Sequence, residues 1–207
     1  NAINDALASA PVNGAAANTT AEVQAIVNAY NAILGEANGA LADANTSINP
    51  TAGQYAAVGA EIGAAASDAE NLALLNDIVG SKTASDVDTI AEINTLARIA
   101  NAIQLTAANG TAAPALSAVD FAALGLTGVT VDNLPAVLAA IAAKTDAGTE
   151  TDSLSELQAL ITAAAAAQVT AINKIAAYAE TGLTAPLEVD YAAAGVAGVS
   201  AANLGAI

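Results

Sequence analysis

Apolar residues recur with helical spacing in several stretches of this chain. Val23, Ile26, Val27, Tyr30, Ile33 and Leu34 share one face of a helix, as do Leu154, Leu157, Leu160, Ile161 and Ala164. Each long stretch follows a Ser/Thr-X-X-Glu signature: "TTAEVQAIV" (19–27), "TIAEINTLA" (89–97) and "SLSELQALI" (153–161). This is a capping box. The hydroxyl of Thr19, Thr89 or Ser153 is expected to accept the backbone N–H three residues on. Glu22, Glu92 or Glu156 is expected to reach back to the cap's own N–H, at the positive end of the helix dipole.

A shorter helix is predicted where Leu134, Val137, Leu138 and Ile141 are spaced i, i+3, i+4, i+7. With Asp132 as its N-cap, Pro135 falls in the first turn, where a missing N–H breaks no helical bond. Lys82 and Lys144 fall where helices of this type should end, favourable against the negative end of the dipole. A third helix, "LSAVDFAALG" (116–125), stops at Gly125, which is suited to a left-handed cap. Gly59 and Gly195 occupy matching places, and "LTGVT" (126–130) reads as an extended connection. Pro50, Pro114 and Pro186 each stop helix propagation before the next such element.

The three helix types recur in order. "PTAGQYAAVG" (50–59), "PALSAVDFAALG" (114–125) and "PLEVDYAAAG" (186–195) share a proline, a polar stretch, an aromatic and then Ala-Ala-X-Gly. Tyr55, Phe121 and Tyr191 are 66 and 70 residues apart. Glu22, Glu92 and Glu156, an independent marker, are 70 and 64 apart. Asn71, Asn133 and Asn203 each open an Asn-Leu pair in between. The prediction is an all-α fold of tandem three-helix-bundle repeats, about 65–70 residues each, stacked into a rod or filament. Complete repeats are expected at 49–112 and 113–184. Residues 1–48 read as the C-terminal part of one repeat and 185–207 as the N-terminal part of another. The ends are thus expected to be cut points in a longer array. A core this small gains from stacking on its neighbours.

Composition sharpens this picture. Of 207 residues, 55% are hydrophobic, mostly Ala, which favours helix and allows close packing. Regularly spaced Leu, Ile and Val argue against the disorder that an acidic, aromatic-poor chain would otherwise suggest. The net charge is −16, with four scattered basic residues, Lys82, Arg98, Lys144 and Lys174. Nucleic acid is therefore not an expected partner. No Cys or His occurs, which removes thiol and imidazole catalysis and the usual zinc sites. "LPAVLAAIAA" (134–143) is about half the length of a membrane span, and the apolar run after it is broken by Thr, Gln, Asn and Lys174, so no membrane insertion is expected.

Carboxylates are the only abundant ionisable groups, and they cluster in loops and caps. Glycoside hydrolysis would need an acid pair in an aromatic-rich cleft, and the chain holds no Trp, so no enzymatic role is expected. Calcium has a better basis in the loops holding Asp86 and Asp88, and Asp146, Glu150 and Asp152, although a solvated acidic loop is the reading favoured over a calcium site. No Asp-X-Asp-X-Asp-Gly run occurs. Asn18, Asn45 and Asn109 lie in Asn-X-Ser/Thr sequons, about as many as chance supplies in this composition. Tyr30, Tyr55, Phe121, Tyr178 and Tyr191 lie on apolar faces and are expected in the core.

"VDFAALGLTGVTVDNLPAVLAAI" (119–141) resembles the Ala-rich tandem helical repeats of very large bacterial surface and secreted adhesin-type proteins. These often carry Tyr/Phe-X-X-Leu-Gly-Val-X-Gly-Val-X-X-X-Asn-Leu. The pattern maps onto Phe121 to Leu134 and, more loosely, Tyr191 to Leu204. The copy at Tyr55 departs from it through the insertion "EIGAAASDAE". The resemblance implies an extracellular or cell-surface spacer, whose partners are neighbouring repeats or identical subunits end to end. A module recognising a host or matrix protein is the alternative.

Overall fold

A computed structural model describes residues 2–39, 49–144 and 150–207. Among them the chain is mostly helical and contains no strand, so the all-α expectation holds; an isolated antiparallel bridge joins Asn38 and Thr83. Among the described residues nine α-helices follow in order: α1 (Ala2–Ala8), α2 (Thr20–Glu36), α3 (Ala52–Ala57), α4 (Ala69–Gly80), α5 (Ile90–Ala107), α6 (Ala118–Ala123), α7 (Leu134–Ala142), α8 (Leu154–Thr181) and α9 (Glu188–Ala193). Single-turn 3-10 helices lie at Gly63–Ala66, Ala84–Asp86 and Leu204–Ala206.

The long helices begin as their caps dictate. Thr19 accepts the Glu22 N–H at 3.2 Å, and Glu22 accepts the Thr19 N–H at 2.9 Å. Thr89 and Glu92 do the same at 3.3 and 3.0 Å. At α8 only half the predicted box forms. Ser153 accepts the Glu156 N–H at 3.3 Å, but the Glu156 carboxylate takes the Ser153 hydroxyl instead of its backbone N–H. Thr51 with Gln54, and Ser117 with Asp120, form boxes on the short helices that the Glu signature does not reveal.

The start of α7 differs from the expectation. Its N-cap is Asn133 rather than Asp132, with Pro135 still in the first turn. Asn133 is drawn back onto its own loop: Oδ1 accepts the Thr130 N–H at 2.7 Å and Nδ2 donates to the Gly128 carbonyl at 2.7 Å. Asn203 repeats both bonds, to Ser200 and Gly198, at 2.7 Å. Asn71 does not, because the insertion replaces that loop with the 3-10 turn at 63–66. There Asp68 caps α4 through the Glu70 and Asn71 N–H groups, and Asn71 Oδ1 is buried without a hydrogen bond.

Packing follows one pattern along the chain. α1 lies on α2, α4 on α5 and α7 on α8. The long helices also reach forward, α2 onto α3 and α4, α5 onto α7, and α8 onto α9. Two further contacts skip ahead, α1 to α5 and α4 to α8. One core runs through these contacts from Ala6 to Ala164, built around Tyr30, Tyr55, Phe121, Ile33, Leu74, Ile93 and Ile141. Each of these large side chains contributes about 1.5–3 kcal/mol by leaving water, far more than the alanines between them.

Candidate functional site

The polar chemistry of this chain is concentrated where one group of helices meets the next. Asp5 on α1 accepts the N–H of Ile90, the first residue of α5, at 2.6 Å. Asp77 on α4 accepts the N–H of Leu154, the first residue of α8, at 2.5 Å. Both carboxylates sit at the positive end of a long helix, bound to an N–H that has no helical acceptor.

A second pair of bonds enters just ahead of the same long helices. The Tyr30 hydroxyl donates to the Val87 carbonyl at 3.1 Å. Gln104 Nε2 donates to the Thr151 carbonyl at 2.9 Å, and the Thr151 hydroxyl returns to Gln104 Oε1 at 3.2 Å. Val87 and Thr151 each lie two residues before an N-cap, and both are fully buried. Burial, aided by Asp5, Asp88 and Glu92, raises the Tyr30 phenol well above its ordinary value, so it remains a donor.

A third contact ties each short helix to its neighbours. Tyr55 donates to Asn76 Oδ1 at 2.9 Å, and Asn76 Nδ2 donates to the Pro50 carbonyl at 3.0 Å. Burial and the nearby Glu36 raise the Tyr55 phenol strongly. Arg98 pairs with Asp120 at the start of α6, and Lys174 with Asp190 on α9. Burial alone would raise Asp120, but bonds from Ser117 and Arg98 outweigh it and hold the carboxyl low. Asp190 is held low by Lys174 and by the Leu187 N–H. Lys82 lies just past the end of α4, as expected, and its ammonium donates to the Ala123 carbonyl at the end of α6. Burial lowers the Lys82 ammonium.

The acidic loops divide. Asp86 accepts both the N–H and hydroxyl of Thr83, which lower its pKa. Asp152 is pushed up to about 6, first by burial and then by the adjacent Glu156 and Glu70. Glu150 pairs with Lys144 at 3.1 Å, while Asp146 and Asn45 lie outside the described residues. No cluster of three metal-ligating side chains occurs among the described residues. Asn18 and Asn109 are both exposed.

Grooves are shallow. One of about 290 Å³ is lined by Glu61, Arg98, Asn101 and Leu105, where Arg98 Nη1 and Asn101 Oδ1 are buried without hydrogen bonds. Another, of about 400 Å³, lies between Leu124, Leu126, Leu154 and Gln158. Helix α8 is long and apolar enough, by length and composition, to cross a membrane, a feature the sequence reading set aside. Its Lys174 is paired with Asp190, and its Gln168 donates to the Asp132 and Ala194 carbonyls.

The aromatic expectations hold for Tyr30, Tyr55 and Phe121, all fully buried, but not for Tyr178, which is exposed; Tyr191 is half-buried. Exposure of this kind is concentrated at the C-terminal end. Val196 is 47% exposed where its counterpart Leu126 is 6%, and Ile207 is 62% exposed where Val137 is 0%. Sequence reasoning missed Asp5, Asp77, Asn76 and the Gln104–Thr151 pair. The only signal was the Asn-Asp dipeptide shared by "AIND" (2–5) and "LLND" (74–77). Comparison with protein-family models, with curated proteins and with solved structures gives no match.

Proposed function

We propose that this chain is a structural repeat segment, a spacer, stalk or filament-forming region of a large extracellular bacterial surface or matrix protein. In this reading, three-helix units of about 65–70 residues stack into a rod. One observation carries it. The carboxylate of a middle helix binds the first N–H of the long helix one unit further on, once as Asp5 to Ile90 and again as Asp77 to Leu154. The contacts of α1 with α5 and of α4 with α8 have the same relation. The charge of −16 would keep neighbouring rods apart in solution.

The test lengthens the rod. A chain in which residues 113–184 are duplicated in tandem is measured by small-angle scattering at high dilution. Its maximum dimension should grow by one unit while its cross-sectional radius stays the same. A particle that becomes wider instead of longer would refute the reading.

A helical binding module is the second reading. It draws on Val119 and Val189, which hold equivalent places on α6 and α9 and are 76% and 68% exposed. The first unit has Gly53 at this place, so the exposed face is not repeated throughout.

A further inference from the structure

Asn-Gly pairs occur in this chain at Asn13-Gly14, Asn38-Gly39 and Asn109-Gly110, and all of these residues are exposed. An asparagine followed by glycine is open to attack by its own backbone, because a residue without Cβ lets its nitrogen approach the side-chain carbonyl carbon of the residue before it. The dipeptide is the same at all three places. What differs is how each glycine N–H is engaged.

Two of the nitrogens are held. The Gly39 N–H donates to the Gly80 carbonyl at 3.1 Å and to the Lys82 carbonyl at 2.9 Å. The Gly110 N–H donates to the Leu105 carbonyl at 2.8 Å, just past the end of α5. Gly14 is different. Its N–H has no acceptor among the described residues, and beyond its chain neighbours no atom lies within 4 Å of the place a Cβ would take. Asn13 Oδ1, meanwhile, accepts the N–H of Ala15 at 2.9 Å and that of Ala16 at 3.3 Å. These donors bind the oxygen on which negative charge builds when a nucleophile adds to the amide carbon, as an oxyanion hole does. Exposure here is not an effect of lying near the first helix. Residues 83–86, in the corresponding connection between α4 and α5, are exposed as well.

We propose that Asn13 is a site of self-catalysed deamidation, and that the fold protects Asn38 and Asn109 from the same reaction. The Gly14 nitrogen gives up its proton to hydroxide and attacks Asn13 Cγ. The new C–N bond closes a cyclic imide, the Cγ–Nδ2 bond breaks, and Nδ2 takes a proton from water and leaves as ammonia. Water then opens the imide at either carbonyl, leaving aspartate or isoaspartate at position 13. No electrons are exchanged, and water with its hydroxide is the sole co-reactant. At Asn38 and Asn109 the attacking nitrogen must first surrender a hydrogen bond, which slows the reaction about tenfold. The product places a carboxylate in the connection 9–19, which carries none. The isoaspartate form also lengthens the backbone there, next to the Ser9 hydroxyl that approaches the Val58 carbonyl at 3.4 Å.

The full 207-residue chain is aged in mildly alkaline buffer, once folded and once in urea, then digested and mapped by mass spectrometry for the shift from amide to acid. In urea the three asparagines should convert at similar rates, since each precedes glycine. In the folded chain Asn13 should convert as fast as in urea or faster, and at least about tenfold faster than Asn38 or Asn109. Ala15→Pro removes the nearer donor to Oδ1, and should slow Asn13 about tenfold in the folded chain while leaving its rate in urea unchanged. Helix content by circular dichroism confirms that the variant is folded. A folded chain in which Asn38 or Asn109 keeps pace with Asn13 overturns the proposal. So does one in which folding slows Asn13, or in which Ala15→Pro leaves its rate in the folded chain unchanged.

Discussion

Helices α6 and α9 are near copies in local structure and opposites in surroundings. In both, the aromatic carbonyl accepts an N–H from five residues on, Leu126 to Phe121 at 3.1 Å and Val196 to Tyr191 at 2.9 Å. Gly125 and Gly195 both hold left-handed backbone, at φ of 85° and 81°. Asn133 and Asn203 clamp the following loop with the same two bonds. Yet Phe121 is fully buried and Tyr191 only half. A basic residue on the long helix pairs with the capping aspartate in both cases. The motif is therefore set by its own residues and does not need a core above it. Burial is added by the next two helices.

Substitutions should divide along this line. Phe121→Ala empties a closed site and should cost about 3–5 kcal/mol in urea unfolding. Tyr191→Ala, facing solvent on one side, should cost less than about 1 kcal/mol. Equal losses would break the comparison.

A smaller effect is expected at the polar version of the same site. Tyr55→Phe strands the buried Asn76 Oδ1 and should cost about 1–3 kcal/mol. Tyr55→Phe with Asn76→Leu, the pair found at Phe121 and Leu138, should recover most of that loss. A double-mutant cycle measures the coupling.

The glycines should behave alike despite their different surroundings. Gly125→Ala and Gly195→Ala should each cost about 1–2 kcal/mol, since left-handed backbone is strained for any side chain. Gly195 should lose slightly more. A Cβ there meets Gln168 Nε2 at 3.3 Å, whereas one at Gly125 meets nothing within 4 Å.

The smallest effect is a pH dependence at the start of α8. Asp152 is raised to about 6, so the folded chain holds a proton that the unfolded chain releases. Its contribution is complete below about pH 4 and lost as pH rises through about 6. Asp152→Asn should therefore raise the unfolding free energy above pH 7 by less than about 1 kcal/mol after solvent screening, read as a small rise in Tm, and leave stability at pH 4 unchanged.

Much of this structure is legible in the residues. Thr19 with Glu22 and Thr89 with Glu92 start helices because an oxygen three residues away satisfies a stranded N–H. Ser153 with Glu156 shows the limit: the same letters form half a box, where Asp152 crowds Glu156. The N-cap of α7 was misplaced by one residue because Asn133 turns its side chain toward the preceding loop, a choice that depends on the φ of Gly128, 87°. Tyr178 lies on an apolar stripe as clearly as Tyr30 does, but α8 runs on past the helices that would cover it.

The chain's own residues settled where helices begin and stop, and which short motifs recur, because caps, prolines and left-handed glycines act within a few residues. Only the folded arrangement decided that Asp77 serves Leu154 rather than solvent, that Lys82 reaches Ala123, and that Val196 is exposed where Leu126 is buried. Such pairings join residues up to 85 positions apart, a separation over which no local preference of the backbone acts. They form only when packed helices bring the groups together and exclude the water that would otherwise bind them.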